Sequence, residues 1–274
     1  MDALPEMTPS VATETVIHPS AIIARGAELG RGVQIGPFCT VGPNVVIEDG
    51  VRLISHAVVD GYTPIGPDSI LYPFCTVGMA PQDLKYADEP TRCDIGARTQ
   101  VREHCTIHRG TATGRGLTRV GRDCMLMAVA HVAHDCDIGN NVIVANNVLM
   151  GGHVSIGDNA VVGGGAAIHQ YVRIGRAAMI GGVSGVEGDV IPFGSVIGNR
   201  AHLAGLNLIG LKRRGFDKAR IHDLHTAYRS LFRGEGVFAQ RVAETRTALG
   251  HDPLVAEILA FIDAPSHRGL IRAE

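Results

Sequence analysis

The sequence predicts an all-β fold: a parallel β-helix with three strands per coil, closed at its C-terminal end by an α-helical domain. Three observations predict it. An aliphatic residue returns every sixth position from Ile17 to Val186, at 26 places broken by only two gaps. Glycine is in excess at 35 residues, and it often follows the aliphatic at once, as in Ile35-Gly36, Val41-Gly42, Ile138-Gly139 and Ile156-Gly157. After Val186 the period dissolves at Ile191-Pro192-Phe193-Gly194, and helix start and stop signals take over.

A period of six is too short for helix pairs and suits short strands that turn a corner after each repeat. Three repeats make a coil of about 18 residues, and coils stack about 4.8 Å apart like strands in any sheet. The periodic aliphatics then point inward, so each coil is stabilised mainly by its neighbours. The glycines are expected to supply the positive φ that a tight corner needs.

Residues 1–15 form an N-terminal extension, acidic and proline-containing, with neither the basic start nor the apolar stretch of a signal peptide. The β-helix spans 16–194. Its first interruption is 78–94. Val77 and Ile95 are 18 residues apart, one coil, but the inward slots between them would hold Asp83 and Glu89, which a dry core rejects. The segment therefore reads as a projecting loop that rejoins in phase. The second interruption, 108–119, is rich in glycine, threonine and arginine; Ile107 and Val120 stand 13 residues apart, seven more than the repeat needs. That is a second loop. The helical domain, 195–274, divides into helices from about Ala201 to Arg214, from an Asp217 cap to Arg233, from Gly236 to Leu249, and from Asp252-Pro253 to Ala264. Such a bundle covers the strand edges of the last coil.

Composition removes several classes of function. A formal charge of −2 argues against a nucleic-acid partner. No apolar run approaches the roughly 20 residues that span a bilayer, so no membrane insertion is expected. The six cysteines contain no CxxC pair, which reads as buried thiols in a reducing, cytoplasmic compartment.

The chemistry concentrates between Met125 and Gln170. With coils of 18, His134 stacks beside Gly152 and His153, and His153 stacks on Tyr171, two residues past His169. His131 precedes His134 on the same coil. The inward slots belong to Val132, Met150 and Ile168, so these four imidazoles lie together outside the prism. Neutral imidazoles in such a group could bind zinc. Alternatively, one acts as general base while the others bind substrate. Spacing does not choose between the two.

Four segments carry a resemblance: His131-Val132-Ala133-His134-Asp135-Cys136, Gln82-Asp83-Leu84-Lys85-Tyr86, Ile107-His108-Arg109-Gly110-Thr111 and Gly210-Leu211-Lys212-Arg213-Arg214-Gly215-Phe216. Together they resemble the UDP-N-acetylglucosamine acyltransferases of lipid A biosynthesis, within the hexapeptide-repeat acyltransferases, and the similarity runs from Ile17 to Arg272. The resemblance implies a left-handed prism. It implies transfer of an (R)-3-hydroxyacyl chain from acyl carrier protein to the 3-hydroxyl of UDP-N-acetylglucosamine, without cofactor or metal. His134 then matches the general base, Asp135 the residue that orients it, and Gly152 the backbone donor to the oxyanion. His131, His153, His169 and Gln170 match contacts to sugar and acyl chain, Asp83 and Lys85 hold the nucleotide sugar, and Asn207, Arg213 and Arg214 meet the uridine diphosphate end. Gly182 falls at the acyl-length ruler and leaves the groove open for a longer chain. Ile209 departs from the pattern, standing where the family commonly has an acid. The resemblance further implies a homotrimer with active sites between subunits, and acyl carrier protein, being acidic, would meet basic side chains such as Arg213, Arg220, Arg229 and Arg233.

Overall fold

The computed structural model describes residues 14–273, so most of the N-terminal extension (1–13) lies outside the described residues. The chain winds as a parallel β-helix. Its first face is an 11-stranded sheet, its second has nine strands and its third eight. Most strands are only two residues long, as a six-residue side with a corner requires. Register is kept by the repeat: Val144 pairs with Val162 and Val162 with Ile180, one coil on each time. Across the first loop Leu71 pairs with Val101, 30 residues on instead of 18. Across the second, Ile107 pairs with Val132, 25 residues on. The loops therefore add 12 and seven residues without moving any aliphatic off the core face. Strands Thr76–Met79, Arg92–Ile95 and Leu117–Val120 extend into the loop ranges, which leaves shorter excursions than the lost period suggests.

The inward ladder is dry. Val132, Met150 and Ile168 stack above one another at 3 % exposure or less. At the N-terminal end Ile17 remains 43 % exposed, because the first coil has no described neighbour beneath it.

The corners depart from expectation. The residues in the left-handed region are mostly not glycine: Asp135, His153 and Tyr171 on one corner, Asn141, Asn159 and Ala177 on the next, Val129, Asn147 and Val183 on the third, with φ between 55° and 67°. The glycines that follow the aliphatics serve close approach instead. A Cβ on Gly157 would stand 2.6 Å from the Arg176 nitrogen one coil above, and one on Gly66 would stand 2.6 Å from that of Ala97. A side chain there would hold the coils apart.

The C-terminal part also differs near its start. Where the sequence suggests a helix from Ala201, the first face continues: Gly194–Ile197 pairs in parallel with Met179–Ile180, and His202–Leu206 adds an antiparallel strand. Leu203 and Leu206 are buried against the coil, and Gly205, with φ 157°, breaks any helical run. Helix α1 is only Leu208–Arg213, capped by Asn207. Helices α2 (Lys218–Arg233), α3 (Phe238–Leu249) and α4 (Pro253–Asp263) follow, α2 and α4 capped by Asp217 and Asp252. Arg176 ties α4 to the prism through Glu257, 2.6 Å away. The tail then returns to the coil, where the Asp189 N–H donates to the Gly269 carbonyl and the Asp189 carbonyl accepts from the Ile271 N–H. Among the described residues no helix is long and apolar enough to cross a membrane.

Candidate active site

The corner between the second and third faces carries a column of rings. His134 is half-buried just before the turn, and Asp135 takes the left-handed position, φ 59°, that swings its carboxylate back beside its own neighbour. On an extended strand the two side chains would point to opposite faces; here His134 Nδ1 lies 2.9 Å from Asp135 Oδ2. One coil up, His153 meets the His134 ring edge-on with centroids 5.1 Å apart. Tyr171 stacks on His153 at 4.4 Å, and His267 from the tail continues the column at 5.0 Å.

Gly152 lies directly against the imidazole. A Cβ there would come within 2.5 Å of His134 Cε1 and 2.7 Å of Nε2, so only glycine admits the ring in this position. The coil geometry is held by backbone hydrogen bonds, His153 N–H to the His134 carbonyl and Tyr171 N–H to the Gly152 carbonyl, each 3.0 Å.

Asp135 is buried and fully satisfied. The Thr111 hydroxyl donates to Oδ2 at 2.6 Å, the Arg115 N–H donates to Oδ1 at 2.9 Å, and the Thr111 N–H reaches both oxygens at 3.2 Å. Burial alone would raise its pKa. The hydrogen bonds from His134 and from Thr111 outweigh that and hold it at about 2. Thr111 and Arg115 belong to the second loop, whose sequence flagged a motif but gave these two residues no task.

The other histidines are tuned by burial. His131 is held by the Thr106 hydroxyl, 2.7 Å from its Nδ1, and its pKa is lowered by burial and by His134. Burial also lowers His153, partly countered by Asp135 and by Asp83 of the first loop. A further histidine, His108, packs edge-on to His131 with centroids 4.9 Å apart. It is 6 % exposed, its Nδ1 has no partner among the described residues, and burial pushes it down to about 4. Sequence reasoning quoted His108 only as part of a motif.

The remaining candidates spread over the molecule. On the first loop the Lys85 N–H donates to Asp83 Oδ1 at 3.0 Å, and Arg109 anchors that loop through Tyr86 at 2.7 Å. His169 and Gln170 are exposed on the histidine corner, where the Arg268 guanidinium from the tail lies on the His169 ring and donates to the Gln170 carbonyl at 2.8 Å. No periodic signal pointed to Arg268. Asn207 caps α1 and donates to the Ala177 carbonyl, and Arg214 reaches the Asn159 carbonyl; both attach at the corner between the third and first faces. Arg213 is exposed on the same helix. Gly182 sits at the third corner, where a Cβ would meet nothing nearer than the Gly164 carbonyl oxygen at 3.2 Å. Within one chain Asn207, Arg214 and Gly182 lie at corners other than the one that carries His134.

His134, Asp135 and His153 also place one potential ligand atom each within 4.8 Å of one another, enough for a metal ion to be considered. The donor set fits poorly. Asp135 Oδ2 already accepts from Thr111 and faces His134 Nδ1, so a metal would have to displace both.

Residues 189–271 match the family model described as UDP-N-acetylglucosamine O-acyltransferase, domain 2, and residues 26–61 and 117–152 match that of the bacterial transferase hexapeptide repeat. The chain is 44 % identical over 261 residues to an acyl-[acyl-carrier-protein]–UDP-N-acetylglucosamine O-acyltransferase of Rhizobium leguminosarum, covering 95 % of this chain and 96 % of that protein. Among solved structures it resembles the UDP-N-acetylglucosamine acyltransferase of Campylobacter jejuni, with TM-score 0.88, 39 % identity and coverage of 94 % and 99 %. The corresponding O-acyltransferase of Moraxella catarrhalis gives TM-score 0.89 at 39 % identity, with coverage of 93 % and 99 %.

Proposed function

The chain belongs to the acyl-[acyl-carrier-protein]–UDP-N-acetylglucosamine O-acyltransferases, and from that premise we propose that it moves an (R)-3-hydroxyacyl chain from acyl carrier protein to the 3-hydroxyl of UDP-N-acetylglucosamine, the first step of lipid A biosynthesis, with His134 as general base. The observation that carries this reading is the contact of His134 Nδ1 with the buried, ionised Asp135. An ionised carboxylate can only accept, so Nδ1 carries the proton and Nε2 keeps its lone pair for the sugar hydroxyl. As the hydroxyl oxygen attacks the thioester carbonyl, its proton passes to Nε2. The tetrahedral intermediate then collapses, the C–S bond breaks, and the imidazolium gives its proton to the departing thiolate, which leaves as the carrier thiol. The Gly152 N–H is assigned to the oxyanion, which glycine permits to approach closely.

His131, His153, His169 and Gln170 are proposed as contacts to sugar and acyl chain, and Asp83 and Lys85 as contacts to the nucleotide sugar. In support, Asp83 is close enough to His153 to bias its protonation. Arg213 and Arg214 suit a diphosphate, because a guanidinium makes paired hydrogen bonds to phosphate oxygens. Asn207 is already engaged as a helix cap, so its part in uridine binding would run through the placement of α1. The protein would act in the cytoplasm, a reducing compartment that suits its six free, buried cysteines.

A site that needs His134 from one corner, Arg214 from a second and Gly182 from a third closes most simply between copies of the chain, which favours the homotrimer. Exposed Phe38, Phe74, Val129 and Val183 along the Gly182 corner also favour association. The basic face with Arg213, Arg220, Arg229 and Arg233 would receive the acidic carrier protein.

The test is product analysis. The chain is incubated with UDP-N-acetylglucosamine and (R)-3-hydroxyacyl carrier protein, and the product is read by mass spectrometry and proton NMR. An ester on the 3-hydroxyl is expected. Acylation at another position, or none, would sink the proposal.

A further inference from the structure

The second loop does one thing that the proposed reaction leaves unexplained: it encloses a carboxylate. Thr111 gives Asp135 a hydroxyl at 2.6 Å and an amide at 3.2 Å, and Arg115 gives a second amide at 2.9 Å. Gly114, between them, is a glycine for a visible reason: a Cβ there would stand 2.5 Å from Asp135 Cγ. Beneath the carboxylate, the Thr118 hydroxyl accepts from the Asp135 N–H at 2.8 Å, which holds the left-handed corner itself. The side chain of Arg115 turns away and pairs with Asp137 at 2.8 Å, so the loop offers Asp135 neutral donors and no counter-charge. The ionisable groups facing Asp135 are His134, at 2.9 Å, and His153, at 3.8 Å.

We infer that the seven-residue excess of the second loop is a carboxylate clamp, and that Thr111 is a positioning residue which acts through Asp135 to hold His134 in the tautomer and orientation a base requires. The inference rests on the reading of His134 as base. Its physical content is geometric. Asp135 Oδ2 is shared between the Thr111 hydroxyl and the His134 ring. Without the hydroxyl the carboxylate can rotate about its Cβ–Cγ bond, and the imidazole it orients moves with it. A fully satisfied buried polar network is rigid, and removing its shortest hydrogen bond loosens it even though the Thr111 and Arg115 amides remain. Neutral donors suit this task, because a cation at the same place would compete with imidazolium formation during turnover.

Thr111 is 2 % exposed, so valine, which keeps its shape and removes only the hydroxyl, is the informative substitution. The full-length protein carrying Thr111→Val or Thr111→Ser is assayed with UDP-N-acetylglucosamine and hydroxyacyl carrier protein, alongside His134→Ala and a melting curve. Thr111→Val is expected to lower kcat about tenfold with KM for the sugar nucleotide unchanged, the size of one hydrogen bond to a charged group. Thr111→Ser is expected to restore it. If Thr111→Val does not fold, Thr111→Ala is read by the same criteria. Wild-type kcat in the hydroxyl-free variant while His134→Ala is inactive overturns the clamp and spares the base. Full activity in His134→Ala overturns the base reading instead. Equal losses in the valine and serine variants, together with lowered melting, would reduce Thr111 to packing and also overturn the inference.

Discussion

His134 and Asp135 are consecutive in the chain, yet the Nδ1 of one lies 2.9 Å from the Oδ2 of the other. The left-handed corner at Asp135, φ 59°, makes that contact possible. The same bend recurs at His153 and Tyr171, so the fold that builds the core also builds the ring column.

Replacing Asp135 with asparagine tests the orienting contact. The amide keeps the shape but presents an NH2 either to the His134 Nδ1–H or to the Thr111 and Arg115 donors. The expected loss in kcat is about 10²–10⁴-fold, with a stability cost of about 1–3 kcal/mol from the mismatched donors. Steady-state kinetics and urea unfolding measure the two separately, and retention of wild-type kcat would remove Asp135 from the reaction.

Gly152→Ala tests how tightly the ring is seated. The added methyl would overlap His134, with Nε2 only 2.7 Å from the new carbon. Displacing a base by about 1 Å can cost about 100-fold, so kcat is expected to fall by that order. The effect should fall on kcat more than on KM. An unimpaired variant would show that the ring works from another position.

His108 makes stability depend on pH with a definite sign. In the unfolded chain its imidazole titrates at the ordinary 6.5; folded, it is lowered to about 4. The unfolded state therefore binds more protons across that window, and the contribution of His108 to stability is lost as pH falls from about 6.5 towards 4. Melting temperature should decline with acid over that range, and His108→Phe should flatten the decline. Parallel pH profiles for variant and wild type would assign the slope to other groups.

How much of this was legible in the sequence depends on the residue. Val132, Met150 and Ile168 could be placed inside because a period of six leaves no other reading, and they are buried. The stacking of His134, Gly152 and His153 follows from the coil length alone. The glycines after the aliphatics suggest corners in the sequence, but at Gly66 and Gly157 the need is clearance from the next coil, while Asp135 and Asn159 take the positive φ. Periodicity could not reveal Thr111 and Arg115, because they act from a loop that has left the repeat. Arg268 was hidden for a related reason: it reaches His169 across 99 residues of chain. The strand His202–Leu206 reads as helix in the sequence because its apolar residues are few and its partner strand lies beyond the apparent end of the repeat.

Gly182→Met addresses the donor. The space above Gly182 is open apart from the Gly164 backbone, so a flexible side chain should fit without unfolding the coil. On the proposed reading of Gly182 as facing the acyl chain, the variant is expected to favour shorter acyl donors than wild type in competition assays. The same chain-length preference in both would detach Gly182 from acyl selection.

The most direct measurement is the rate of acyl transfer by His134→Ala at saturating UDP-N-acetylglucosamine and hydroxyacyl carrier protein, with melting recorded on the same sample. A base in this position predicts a fall of about 10²–10⁴-fold at unchanged melting temperature. Turnover equal to wild type would contradict it.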